Sequence, residues 1–122
     1  MKWDFKSGEP IYQQIMRVLR TQIASGEYPP GCRFPAVREL ALEAGVNPNT
    51  MQRALAELER EGLLVTVRTT GKFVTEDQEL ISRTRSDLAA DSIRALIGSL
   101  KNLGLTEEQI LKEVEHSLKE ME

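Results

Sequence analysis

The sequence predicts a mainly α-helical fold with one small β-hairpin, and three observations support this prediction. Apolar residues recur at helical spacing in five segments, which is typical of amphipathic helices. Glycines and prolines stand between these segments, as expected for turns. Two short β-branched stretches, residues 63–67 and 72–75, flank the polar segment 68–71, and this pattern indicates a hairpin.

The composition is that of one ordinary globular domain with a short appendage, since the chain has 122 residues, 40% hydrophobic and 29% charged. No stretch approaches the ~20 apolar residues of a membrane span. Charged residues interrupt the N-terminal segment, so it lacks the apolar core of a signal peptide. We therefore expect a cytoplasmic protein without a membrane partner. Cys32 and His116 are the sole cysteine and histidine, so the sequence predicts no disulfide, metal site, cofactor or enzymatic activity.

The charge is unevenly distributed along the chain, although the net charge is only −3. Residues 1–75 contain ten basic and eight acidic side chains, whereas residues 76–122 contain six basic and eleven acidic ones. A weakly basic first part and an acidic second part fit a nucleic-acid reader joined to an assembly element. The basic excess is also small enough to arise by chance.

Residues 1–9 are predicted to form an arm in which Trp3 and Phe5 alternate with charged residues. We expect these aromatic rings to pack on a neighbouring surface, which is favoured over stacking on bases. A first helix is predicted to begin at Pro10, where a missing N–H costs nothing, and to end at Gly26.

The next two helices are short and closely spaced. The first of them is predicted over residues 36–44, with Gly45 as a left-handed C-terminal cap. The second begins after Asn47, a good N-cap residue that is followed by a proline, and it is expected to end near Glu61. Gly62 stops this helix.

Two short helices joined by a tight glycine-containing turn are the geometry of a helix-turn-helix, in which the second helix enters the major groove. The hairpin that follows would be its wing. One face of the third helix is apolar, and the opposite side carries Asn49 and Arg53, flanked by Thr50 and Gln52. Asparagine and glutamine can read adenine, and arginine can read guanine or hold a phosphate.

Further cations stand at the start of the second helix and in the hairpin. Arg38 is placed to grip the DNA backbone or a guanine. The hairpin offers Arg68, Thr70, Gly71 and Lys72, where the glycine permits close backbone approach. Each of these features taken alone could also be an ordinary exposed surface.

Four blocks between Pro10 and Thr75 resemble the GntR family of bacterial regulators: PIYQQI, SGEYPPGCRFPAVRELA, GVNPNTMQRALAELEREGLL and TTGKFV. The resemblance implies a winged helix-turn-helix domain over residues 10–75. It also implies DNA contacts at the family's positions, which fall here on Arg38, Asn47, Asn49, Thr50, Gln52, Arg53, Thr70, Gly71 and Lys72.

The sequence departs from the family pattern at three positions. Ala36 stands where a serine often caps the second helix, so that helix is expected to lose a capping oxygen. Pro48 and Gln52 replace arginines that many members carry, and base contacts inferred from those members do not transfer. The NPNT and QRA segments resemble the YtrA subgroup instead.

Residues 76–122 are predicted to form a tail of two amphipathic helices, the second of which starts with a capping box of Thr106 and Gln109. Helices this short cannot bury a core by themselves, so we expect a two-fold dimer. The resemblance to the YtrA subgroup also implies a short helical dimerisation tail. The predicted dimerisation residues are Leu88, Ile93, Leu96, Ile97, Leu100, Leu103, Ile110, Val114 and Leu118.

The sequence thus predicts a sequence-specific DNA-binding regulator, a dimeric repressor on a palindromic operator with half-sites about one helical turn apart. The resemblance implies that the target is a transporter-type operon. The alternative is a winged-helix protein-interaction module that does not touch DNA. The sequence identifies neither the operator nor a small-molecule effector.

Overall fold

The structure, a computed structural model, describes residues 3–122. These residues form helices and one two-stranded antiparallel sheet. In chain order the elements are α1 (Ile11–Ala24), α2 (Val37–Ala44), α3 (Pro48–Arg60), β1 (Leu64–Val67), β2 (Gly71–Val74), α4 (Gln78–Asn102) and α5 (Glu107–Glu120). The predicted fold class, mainly α with a small hairpin, is confirmed. None of the described helices is long and apolar enough to cross a membrane.

The chain divides into two compact units, with the boundary between Ser86 and Asp87. The predicted boundary after residue 75 falls earlier, in the segment between β2 and α4. Helix α4 begins within the first unit, where Ile81 is buried. A division into a reader domain and a tail at residue 75 therefore stays a proposal.

The core of the first unit lies between α1 and α3. Apolar residues at helical spacing on both helices are fully buried, and the hairpin and α2 pack around them. The largest buried side chains of this core are Ile15, Leu19, Ile23, Leu40, Met51, Leu55, Leu58, Leu63, Leu64 and Val74.

The ends of the first three helices follow local chemistry. Pro10 has an extended ψ of 134° and is the N-cap of α1, so the helix begins one residue later than predicted. Ala36 makes no side-chain hydrogen bond to α2, as expected from its missing oxygen. Gly45 has the predicted left-handed conformation, with φ of +70°. The Oδ1 atom of Asn47 accepts a hydrogen bond of 2.8 Å from the backbone N–H of Asn49.

The hairpin pairs Leu64 with Val74 and Val67 with Gly71. Thr69, in the connecting turn, has a φ of +65°. A third extended piece lies beside β2, because Arg33 forms an isolated antiparallel bridge with Phe73. The loop before α2 is thereby hydrogen-bonded to the wing.

The N-terminal arm packs on the first unit. Trp3 belongs to the buried core cluster, and its indole N–H donates to the carboxylate of Glu43 at 3.3 Å. The ring of Phe5 lies 6.0 Å from that of Trp3. The expectation that these rings pack is therefore confirmed for the described part of the arm.

The second unit contains residues 87–102 of α4 and the whole of α5. Thr106 caps α5, and the side chain of Gln109 accepts from the N–H of Thr106 at 2.9 Å. The predicted capping box is thus confirmed. Ile110, in the first turn of α5, is buried.

Leu55 provides a test of the core. We expect Leu55→Ala to lower the free energy of unfolding by about 2–5 kcal/mol, because it leaves a cavity in a fully buried position. Leu42 is 85% exposed, so Leu42→Ala is the matched control and should change stability by less than about 0.5 kcal/mol. Urea unfolding of both variants measures the difference, and equal effects would contradict this description of the core.

Candidate nucleic-acid interface

The inward face of α3 is entirely buried in the core, and its outward face is polar. Met51, Ala54, Leu55 and Leu58 have no exposed surface. The helical period then directs Asn49, Gln52 and Arg53 to solvent. The predicted reading face therefore lies on the surface of the first unit.

Asn47 and Thr50 differ from those three residues. The side-chain oxygen of Asn47 is used as the helix cap. Thr50 is partly buried. The cap orients the first turn of α3, from which Asn49 and Gln52 project.

The arginines of residues 3–75 fall into two groups. Three of them form ion pairs with carboxylates: Arg17 with Glu9, Arg20 with Glu61 and Arg60 with Glu57. The other four have no ion pair among the described residues, and they are Arg33, Arg38, Arg53 and Arg68. Three of these four are predicted DNA ligands, so their charge is available to phosphates or bases.

The start of α2 and the start of β2, next to the turn of the wing, come together at one groove of about 450 Å³, whose lining includes Val37, Glu39, Gly71 and Lys72. Arg38 is exposed near the start of α2. The backbone N–H groups of this first turn receive no side-chain cap, and helix N-termini of this kind favour anions. The groove therefore joins two parts of the predicted interface.

Gly71 begins β2 with a φ of +130°, which side chains rarely adopt. The guanidinium of Arg33 lies against this glycine, and a Cβ atom built there would be 3.4 Å from Arg33 Nη2. The glycine therefore permits a close approach, as predicted, and the neighbour in this structure is Arg33. Arg68 and Thr70 are exposed in the turn beside it.

Lys72 has an internal partner that the sequence pattern did not indicate. Its ammonium donates to Glu59 Oε1 at 3.1 Å and to Thr66 Oγ1 at 3.0 Å. Thr66 also donates to the carboxylate of Glu59, and these two side chains together lower the pKa of Glu59. Lys72 therefore ties the wing to the end of α3, and a phosphate would have to share its ammonium with Glu59.

Two residues next to this surface were missed at the level of sequence. Arg33 reaches Gly71 only because its backbone pairs with Phe73. Tyr12, on α1, lies under the guanidinium of Arg53, with 3.7 Å between Arg53 Cζ and the ring centroid. No local pattern signals either contact, because both join segments that are distant in the sequence.

A winged helix-turn-helix DNA-binding protein is the class that this fold and this charge distribution define. Residues 11–74 match the family model for bacterial regulatory proteins of the gntR family. The chain belongs to the GntR family, and it is a DNA-binding transcription regulator.

Two similar proteins of Bacillus subtilis are named as transcription regulators. The chain is 37% identical to the HTH-type transcriptional regulator YhcF of Bacillus subtilis over 108 residues, covering 88% of this chain and 89% of that protein. It is 42% identical to the HTH-type transcriptional repressor YtrA of Bacillus subtilis over 74 residues, covering 61% of this chain and 57% of that protein. The predicted resemblance to the YtrA subgroup is confirmed.

The fold has close counterparts among solved structures. A GntR family transcriptional regulator from Listeria monocytogenes aligns with a TM-score of 0.84 and 40% identity, covering 92% of this chain and 98% of that one. The DNA-binding domain of AraR in complex with its operator ORX1 aligns with a TM-score of 0.55 and 28% identity, covering 59% of this chain and 93% of that one. The second match favours DNA binding over the alternative of a protein-interaction module.

Arg38 and Arg53 test the predicted interface directly. Arg38→Ala and Arg53→Ala should each weaken operator binding by about 1–3 kcal/mol, because each removes a charged contact to phosphate or base. Both side chains are exposed, so thermal stability should barely change. Arg17→Ala, which removes an arginine already paired with Glu9, is the matched control. Wild-type affinity in both test variants would contradict this interface.

The carboxylate of Glu59 tests the contact between the wing and α3. Because its pKa is lowered, this contact stabilises the folded state above the ordinary pKa of glutamate and is lost as the pH falls through the lowered value. An NMR titration should place the pKa of Glu59 below its ordinary value. Thr66→Val should raise this pKa most, and Lys72→Met should raise it less. An ordinary pKa in the wild type would show that the contact does not form in solution.

Proposed function

We propose that this regulator is a cytoplasmic homodimeric repressor that binds a palindromic operator. One observation carries the proposal: a winged helix-turn-helix in which Arg38, Arg53 and Arg68 are exposed and have no ion pair among the described residues. Repression is supported by the relative YtrA, which is named a transcriptional repressor. The resemblance to the YtrA subgroup makes a transporter-type operon the proposed target.

In the proposed complex, the first turns of α3 enter the major groove. Asn49 and Gln52 present amide groups that match the donor and acceptor pattern of adenine, and Arg53 matches guanine or a phosphate. Arg38 and the uncapped start of α2 hold the DNA backbone beside the groove. Arg68, Thr70 and Gly71 of the wing contact the adjacent backbone or minor groove, and Lys72 contributes through the position that it gives the wing.

The second unit supplies the proposed dimer contact. An open groove of about 760 Å³ runs between the end of α4 and α5, and most of its lining is apolar. Four of the large apolar side chains in its lining are exposed to solvent: Leu96, Leu103, Leu118 and Met121. Ile93, on α4 outside that lining, is exposed as well. An exposed apolar surface of this kind favours association.

A second copy of the chain is the occupant that we propose for this groove. A two-fold axis would place the same patch of both chains against each other, so that one set of residues covers both surfaces. The predicted dimerisation residues Leu96, Leu100, Leu103, Val114 and Leu118 all line it. Ile110 differs, because it is already buried in the single chain and would support the interface from behind.

Dimerisation has a direct consequence for DNA recognition. Two reader domains related by a two-fold axis match an operator whose halves are inverted repeats, with centres about 10–10.5 base pairs apart or a multiple of that. Linking two readers makes the second contact intramolecular, and this can raise the overall affinity by about 100-fold or more.

Selection of bound duplexes from a random pool tests the proposal. The full chain should enrich an inverted repeat with the half-site spacing given above. Affinity for the enriched duplex should fall steeply as salt concentration rises, since phosphate contacts release counterions. Enrichment of a single asymmetric site would contradict the palindromic operator, and no enrichment would contradict specific DNA binding.

The apolar groove generates a prediction about assembly. The wild-type chain should sediment as a dimer at micromolar concentration, whereas the double variant Leu96→Glu, Leu118→Glu should sediment as a monomer of 13.8 kDa. Charges placed in a packed apolar interface remain uncompensated, so association is lost. Leu42→Glu, at an exposed leucine of the first unit, is the control and should remain dimeric. A dimeric double variant would place the interface elsewhere.

A further inference from the structure

We propose that Tyr12 is a positioning residue for DNA recognition, because its ring holds the guanidinium of Arg53 ready to contact DNA. The inference rests on the proposed role of Arg53 at the interface. Tyr12 is the second residue of α1, and neither the motifs nor the charge pattern assigned it a function.

The ring of Tyr12 is a fixed surface. It is partly buried and packs against the hydrophobic core of the first unit, so one side of the ring is supported. Arg53 lies over the ring, with its Cζ atom 3.7 Å from the ring centroid. This is within the ~6 Å at which a cation is attracted to an aromatic face.

The surroundings explain why Arg53 rests on a ring and not on a carboxylate. The polar groove between α1 and α3 next to Tyr12 contains Glu57 and Glu61. Each of these acids already pairs with another arginine: Glu57 with Arg60 and Glu61 with Arg20. Arg53 itself has no ion pair among the described residues, so its positive charge is held in place without being neutralised.

Stacking of this kind suits a DNA ligand. A guanidinium carries its five N–H donors in one plane, so contact through its face leaves the donor edge open for a phosphate or a guanine. A free arginine side chain loses rotamer entropy when it binds, and a pre-positioned one loses less. Tyr12 therefore raises the affinity for DNA without touching it.

The face of the ring carries the effect, and the hydroxyl group is dispensable. The Tyr12 hydroxyl accepts one long hydrogen bond of 3.4 Å, from the exposed side chain of Gln13. Tyr12→Phe keeps the ring and should preserve positioning. Tyr12→Leu removes the ring and keeps an apolar side chain against the core.

A double-mutant cycle on the full chain tests the proposal, with fluorescence anisotropy of the duplex enriched from the random pool as the readout. Tyr12→Leu should weaken binding about two- to ten-fold, the factor that corresponds to the ordering cost of one rotamer-rich side chain. Tyr12→Phe should bind like the wild type. In the Arg53→Ala background, Tyr12→Leu should cause no further loss.

The outcomes separate this proposal from the one on which it rests. If Arg53→Ala binds like the wild type, Arg53 does not contact DNA, and both proposals for these residues are overturned. If Arg53→Ala weakens binding while Tyr12→Leu does not, only the role of Tyr12 is overturned. Equal effects of Tyr12→Leu with and without Arg53 would make Tyr12 a purely structural residue.

An NMR signature keeps the test independent of stability. The δ-protons of Arg53 should be shifted upfield by the ring current in the wild type and in Tyr12→Phe, and this shift should disappear in Tyr12→Leu. If Tyr12→Leu unfolds, Tyr12→Met fills more of the same space and carries the same measurements. An unshifted Arg53 in the wild type would overturn the contact itself.

Discussion

The burial of one face of α3 against α1 is the constraint on which the rest of the molecule depends. Leu55 and Leu58 have no exposed surface, and a helix with one face so committed cannot rotate without opening the core. The side chains on its other face, Asn49 and Arg53 among them, are therefore held at defined positions. The packing of the core therefore fixes the positions of the side chains that recognition requires.

The distribution of acids completes this arrangement. The chain has a net charge of −3, yet three carboxylates on and next to α3 are already paired with other cations. Glu57 and Glu61 are paired along the groove of α1 and α3, and Glu59 holds Lys72. An acidic protein can therefore present an unneutralised cationic surface, because the local pairing of charges matters more than their sum.

Features with a local cause could be predicted from the sequence, and features that join distant segments could not. The caps at Asn47 and Thr106 and the left-handed Gly45 depend on residues within a few positions of each other. The ion pair of Lys72 and the stacking of Arg53 depend on how α3 packs against the wing and α1. The local sequence does not indicate such contacts between distant segments. The sequence pattern also does not indicate that the early part of α4 belongs to the first unit, because Ile81 is the one buried residue among the described residues of that helix.

The central claim is that the start of α2, the start of α3 and the wing form one DNA-reading surface. An NMR titration of the ¹⁵N-labelled chain with the enriched duplex tests it most directly. The account predicts that, as DNA is added up to saturation, the backbone amide chemical shifts of Arg38, Asn49, Arg53 and Gly71 change most. Shifts that are largest on α5, with these four amides unchanged, would contradict it.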